Sequence, residues 1–247
     1  MNTSQDSGNN ANIVNFQNLI QFCTGFGAGY NPTKDALKIA SLQSQLGMAK
    51  TLLNECTAME TAYDNAVDAR RDLFVPLKPL VTKIVNALSV SGVSDSIIEG
   101  AKAINRKVQG KKATTPNTTK EVATDGTDLT QPKTISSSHQ SYDYMVEHLN
   151  ALIELISSHD VYDPNEEALK VSSLKSYLAN LRTANINVMS SNTAWTISRA
   201  NRNKCLYAEK TGLVDTALDV KNYIKSAFGT NSMEYGMVKG LSFKNLK

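Results

Sequence analysis

The sequence predicts an all-α fold: an elongated helical bundle made from two tandem copies of one helical unit, each with one long helix, in pseudo-twofold pairing. Three observations carry that expectation. Tyr30–Leu46, YNPTKDALKIASLQSQL, and Tyr162–Leu178, YDPNEEALKVSSLKSYL, match at a constant offset of 132 residues, with nine of 17 positions identical. Chance gives about one identity in such a window, and a match of this kind marks an internal repeat. Apolar residues recur at helical spacing through long proline-free stretches, and no segment shows sustained strand alternation.

Each copy opens with a short apolar-periodic stretch, Ile13 to Cys23 and Tyr144 to Ile156. Leu19-Ile20 and Phe22 align there with Leu152-Ile153 and Leu155 after a one-residue shift. A turn follows, ending in Tyr30-Asn31-Pro32 or Tyr162-Asp163-Pro164, and Pro is tolerated in a first helical turn. From Thr33 to Phe74 there is no proline and one glycine, Gly47, while Asn165 to Tyr207 has neither. Each stretch reads as an amphipathic helix of about 40 residues, roughly 60 Å long at 1.5 Å per residue. A seven-residue ladder, Leu42, Ala49, Cys56, Tyr63 and Arg70, has its partner in Leu174, Leu181, Val188, Trp195 and Arg202. The two arginines are expected to fix register between packed helices, and Tyr63 and Trp195 to anchor a core.

In the first copy, Pro76 and Pro79 break the chain before a helix over about 79–90. Gly92 ends it, and Ser94 caps a last helix to Val108. The second copy turns at Thr211-Gly212, continues as Leu213 to Phe228, and ends with a short helix from Ser232 to Lys239. Here the match weakens, with Ile84 and Ala87-Leu88 set against Ile224 and Ala227-Phe228. The expected organisation is a polar tail at 1–12, one unit at 13–109, a Thr/Ser/Pro-rich linker at 110–141, and a second unit at 142–247 sharing the core of the first.

Charge bounds the partners. Residues 1–109 carry 10 Lys/Arg against 9 Asp/Glu, residues 110–141 carry 4 against 3, and residues 142–247 carry 12 against 11. Each region is therefore +1, which provides no long-range field to steer a polyanion. No apolar run approaches the roughly 18 residues of a membrane span, so no transmembrane segment is expected. MNTSQDSGNN lacks the layout of a secretory signal, and the expected location is the cytoplasm or an assembled particle. Cys23, Cys56 and Cys205 form no CxxC pair and read as small packed hydrophobes in a reducing compartment.

No catalytic motif, cofactor loop or metal-ligand spacing stands out. Gly25-Phe26-Gly27-Ala28-Gly29 follows a helical stretch rather than a strand, so it reads as an interhelical turn. His139, His148 and His159 form neither HxxxH nor ExxH. The candidate interaction residues are charged. Glu60, Asp64, Asp68 and Asp72 recur every four residues along one face of the first long helix. Lys102, Arg106 and Lys107, followed by Lys111 and Lys112, end the first copy, and Arg199, Arg202 and Lys204 lie on the second long helix.

Several segments together resemble those of uncharacterised duplicated helical proteins common in the Bacteroidota. They are Tyr142-Asp143-Tyr144, Tyr162-Asp163-Pro164-Asn165-Glu166, Arg199-Ala200-Asn201-Arg202-Asn203-Lys204, Thr211-Gly212-Leu213-Val214-Asp215 and the stretch from Val220 to Gly229. The resemblance covers most of the chain. It implies a bacterial or phage-associated origin, and with no activity assigned to that family it transfers no site residue. The expected function is therefore argued from shape and exclusion: a non-enzymatic structural or interaction protein, self-associating within a larger assembly such as a filament, layer or virion. A nucleic-acid binder using residues 102–112 and 199–204, and an enzyme with its site between the two units, are the alternatives.

Overall fold

A computed structural model describes residues 3–111 and 140–246, all of whose regular structure is helical. Eight α-helices follow one another among these residues: α1 (Thr3–Gly25), α2 (Ile39–Phe74), α3 (Leu77–Ser89), α4 (Asp95–Gln109), α5 (Tyr142–Ser157), α6 (Val171–Tyr207), α7 (Leu213–Phe228) and α8 (Met233–Lys239). Most of the expected linker, with Lys112 and His139, lies outside the described residues.

Local chemistry sets the helix ends. Ser141 and Ser232 precede α5 and α8, and their hydroxyl oxygens accept from the Tyr144 and Tyr235 amides at 3.3 and 3.1 Å. Ser94 stands in the same place before α4, but its side chain makes no capping bond. Gly110 closes α4 in the left-handed conformation, φ +72°, with the Lys111 amide donating to the Arg106 carbonyl at 3.0 Å. The helix α3 begins at Leu77, so Pro79 falls in its first turn, where the missing N–H costs no hydrogen bond.

The long helices start later than the absence of proline suggests, at Ile39 and Val171 rather than Thr33 and Asn165. Both preceding segments instead form single 3₁₀ turns, Asp35–Leu37 and Glu167–Leu169. In each, a buried tyrosine hydroxyl bridges back over the turn. Tyr30 donates to the Leu37 carbonyl at 2.7 Å, and Tyr162 to the Leu169 carbonyl at 3.0 Å. An i,i+3 ion pair also recurs, Lys38–Asp35 at 2.6 Å and Lys170–Glu167 at 2.7 Å.

The chain divides into two compact units, and they do not follow the boundaries expected from the sequence match. The first comprises Met1–Asp64 and Ser190–Lys247, the second Asn65–Met189. Where one shared core was expected, two apolar clusters form, each drawing on both sequence halves. In the first unit, α1 and the start of α2 pack with the end of α6, α7 and α8, burying Phe16, Leu19, Leu42, Val220 and Ile224. In the second, α5 and the start of α6 pack with the end of α2, α3 and α4, burying Leu77, Ile84, Leu149, Leu152 and Leu174.

The opening helices agree closely at an offset of 133. Ile13, Phe16, Leu19, Ile20 and Cys23 on α1 are buried, as are Val146, Leu149, Leu152, Ile153 and Ile156 on α5. Residues 3–12, expected as an unstructured tail, are instead the first turns of α1. Asn9 and Asn12 are buried there at 1% and 2% exposure because polar partners meet them. The Tyr207 hydroxyl bonds to both side chains, and Asn12 also exchanges two bonds with the Lys244 backbone, at 2.8 and 3.0 Å.

Candidate functional site

The charged residues singled out in the sequence do not gather into one site. On α2, Glu60 is half-buried while Asp64, Asp68 and Asp72 are exposed. Arg71 of the same helix bridges Asp68 at 3.0 Å and Asp72 at 3.5 Å, so two of the four acids share one local positive charge. On α4, Lys102 pairs with Glu99 at 2.9 Å. Arg106 and Lys107 are exposed in the last turn of α4, where positive charge complements the helix dipole.

The second basic cluster is broken up by burial. Arg199 and Lys204 are exposed, and the Arg199 guanidinium lies 4.7 Å from the Trp195 ring centroid. Arg202 does not belong to that surface, contrary to expectation. It is 5% exposed, and its guanidinium donates to the Cys56 thiol at 3.3 Å and to Asn203 Oδ1 at 3.1 and 3.2 Å. The seam positions explain this: Arg202 sits one heptad after Trp195, which stacks on Tyr63 with centroids 5.4 Å apart. The matched Arg70 is met differently, its guanidinium lying 4.1 Å over the Tyr142 ring. Tyr63 and Trp195 are both half-buried and anchor each other.

The structure also holds a cleft that no sequence signal had singled out. It lies in the second unit, where the Tyr162–Leu169 segment meets α3. One part, of about 660 Å³, is bounded by Ala87, Val90, Val161, Tyr162, Asp163 and Pro164. A second part, of about 600 Å³, has the more apolar wall, with Pro76, Pro79, Leu80, Ala168 and Tyr177. Lys83, Glu166 and Leu169 border both, so the two parts form one trough.

The corresponding corner of the first unit explains why this one is open. Counted from their first residues, α3 and α7 bury matching positions: Leu77 and Leu213, Val81 and Ala217, Ile84 and Val220, Leu88 and Ile224. The sequence match of Ile84 with Ile224 is therefore one turn out. The connection from α6 to α7, Ala208–Gly212, is three residues longer than that from α2 to α3, Val75-Pro76, and α6 ends one residue later, so the offset between the halves rises from 132 on the long helices to 136 on α3 and α7. At that offset of 136, Ala87 corresponds to Tyr223 and Lys83 to Asp219.

Tyr223 fills its corner. Its ring meets Tyr30 edge-on at 5.4 Å, and its hydroxyl accepts from the Asn31 amide at 3.2 Å. Lys34 and Asp219 close the rim at 2.7 Å, and Phe228 packs on Phe26 at 5.5 Å and against Gly29, where a Cβ would come within 3.1 Å of its ring. In the second unit, Glu166 takes the place of Lys34 and Lys83 that of Asp219, so the signs are reversed. Neither Lys83 nor Glu166 forms an ion pair among the described residues.

Burial, with the nearby Glu166 charge, pushes the Tyr162 hydroxyl up to about 12, and burial does the same for Tyr177. Both hydroxyls are committed to backbone carbonyls, Tyr177 donating to Leu73 O at 2.7 Å. Among the described residues no group of three or more His, Cys, Asp or Glu side chains is placed to hold a metal ion. Cys23 and Cys56 are buried and Cys205 is half-buried, all as free thiols, and burial pushes Cys23 up to about 12. No described helix is long and apolar enough to cross a membrane. The chain matches no family model, no curated protein and no solved structure.

Proposed function

We propose that the protein is a non-enzymatic structural or interaction protein that self-associates as a subunit of a larger assembly. The uneven charge of the two long helices is the observation that carries this reading. Helix α6 bears Lys175, Arg182, Arg199, Arg202 and Lys204 and no acidic residue. Helix α2 bears Glu55, Glu60, Asp64, Asp68 and Asp72 against Lys50, Arg70 and Arg71. Between Cys56 and Phe74 on α2, and between Val188 and Leu206 on α6, no apolar side chain is buried. Ile197, in the first unit, is 56% exposed, and Ile186, in the second, is 63% exposed. Such residues suit a surface that a second copy covers, with acidic and basic faces setting register.

An internal duplication belongs to the same proposal: two copies of one helical unit, the opening half of each packing with the closing half of the other. The matched buried positions of α1 and α5, the paired tyrosine bridges and the equivalent burial on α3 and α7 support it. A bacterial or phage-associated origin, in the cytoplasm or an assembled particle, accompanies it. Light scattering across concentration and salt tests self-association. Masses above the monomer that fall as salt rises are expected. A monomer under every condition overturns the proposal, and retardation of DNA or RNA at low salt would favour the nucleic-acid reading instead.

A further inference from the structure

We infer that the C-terminal segment Leu241–Leu246 is an exchangeable arm, and that copies of this chain join when the arm of one lies along α1 of another. This rests on the self-association reading and names the contact that carries it. All the residues concerned belong to the first unit. Past Gly240 the chain leaves α8 without further helix and runs antiparallel along α1. Helix α1 presents Gly8, Asn12 and Asn15 on one face, at i, i+4 and i+7, and each meets the arm in turn. A Cβ at Gly8 would come within 2.5 Å of the Leu246 side chain. Asn12 exchanges two bonds with the Lys244 backbone, at 2.8 and 3.0 Å, and Asn15 Nδ2 donates to the Ser242 carbonyl at 2.7 Å. From α7, the Lys221 ammonium donates to the Lys239 and Leu241 carbonyls at 3.1 and 2.9 Å.

The two sides of this contact are anchored unequally. Leu241, Phe243 and Leu246 pack against the core of the first unit, but none of them is fully buried, and Ser242, Lys244 and Asn245 are exposed. A strip with no secondary structure of its own and few buried contacts opens locally at low cost. The receiving side stays folded, because α1 buries Ile13, Phe16, Leu19 and Ile20 in the core. An arm that leaves strands the Asn12 amide, itself 2% exposed, and uncovers apolar surface, so a filled groove is favoured over an empty one. A second copy supplies the identical segment. The bonds from Asn12, Asn15 and Lys221 all go to backbone groups, so they re-form whichever copy provides the arm. Exchange of one element between copies therefore changes few contacts, and concentration decides between the closed and the joined form.

The test mixes two full-length variants, Asn15→Cys and Ser242→Cys, both at exposed positions, and adds a short bismaleimide. A link between the two new thiols joins two chains only when the arm of one lies on α1 of the other. Cys23 and Cys56 are buried and Cys205 is half-buried, and each variant treated alone sets their background. The mixture is expected to give a covalent pair several-fold above that background, increasing with protein concentration. No excess over background, in a mixture where the Asn15→Cys/Ser242→Cys double variant links within its own chain, overturns the inference. Light scattering of a chain lacking residues 241–247 is the second readout, with Phe243→Asp in its place if the shortened chain does not fold. The mass should fall to that of the monomer. An intact chain that associates while the armless chain keeps the same mass overturns the arm and leaves self-association standing. An intact chain that is monomeric at every concentration overturns both.

Discussion

The two tyrosine-bridged corners share a backbone plan and differ in what covers them. Tyr30 and Tyr162 each reach over a 3₁₀ turn to a leucine carbonyl, and a long helix starts two residues after that leucine in both units. In the first unit an aromatic ring, a second aromatic pair and an ion pair seal the outside. In the second unit alanine stands for the ring, the signs of the rim charges are exchanged, and a trough remains. The buried side of each corner is conserved in kind while the outer side is free to change. Deep positions answer to packing and hydrogen bonding, whereas a filling near the surface contributes less to stability.

The largest effects should fall on the deep positions that the two units share. Phe16→Ala on α1 and Leu149→Ala on α5 remove matched side chains, both 0% exposed. Losses of about 3–5 and 2–5 kcal/mol are expected, read as shifts in urea unfolding. A cost confined to one of the two would break the equivalence of their cores. Next comes the polar cluster at the start of α1. Tyr207→Phe strips the hydroxyl that donates to Asn9 Oδ1 and accepts from Asn12 Nδ2, and a loss of about 1–2 kcal/mol follows from the two buried hydrogen bonds removed.

Tyr223→Ala tests the covering itself, since it makes the first corner resemble the second. It should cost about 2 kcal/mol, because the ring is half-buried and its hydroxyl holds one amide. A loss near zero would mean that the ring is no part of the first unit's stability and cannot serve as a template for the second. Lys34→Ala should have the smallest effect, about 0–1 kcal/mol, because the partners Lys34 and Asp219 are 57% and 46% exposed.

Alkaline pH offers a further comparison without mutation. Tyr162 and Tyr177 have an ordinary value of 10.0 and are raised to about 12 in the folded second unit. The unfolded chain then loses these protons first, so stability is intact below about pH 10 and falls as pH rises toward about 12. Ultraviolet titration of the tyrosinates should show these groups ionising late, together with unfolding. Tyr30 in the first unit is raised as well, by burial foremost, so the two bridged tyrosines should be among the last to ionise.

Much of the helical plan was legible because its signals are local. The upper rungs of the seven-residue ladder, Leu42, Ala49 and Cys56 with Leu174, Leu181 and Val188, are buried as read, whereas the tyrosine–proline turns precede 3₁₀ turns rather than opening the long helices and Ser94 makes no capping bond. The candidate interaction residues were less legible. Nothing in the spacing of Arg199, Arg202 and Lys204 separates the buried arginine from its exposed neighbours; only Cys56, 146 positions away, does so. Asn9 and Asn12 read as a polar tail because their partners, Tyr207 and Lys244, lie at the far end of the chain. The trough stayed hidden for a related reason. It shows only once α3 and α7 are aligned on their buried faces at an offset of 136, whereas the match of Ile84 with Ile224 sets them at 140, one turn away.

By itself, then, the sequence determined that the chain is helical and where most helices begin and end, because periodicity, capping and proline act through neighbouring residues. It also carried the paired segments that fold alike. Tertiary structure decided which half packs with which, which arginine is buried, and which of two similar corners is left open. Those outcomes depend on contacts between residues far apart in the chain, where a single side chain such as Tyr223 or Ala87 determines whether space is filled.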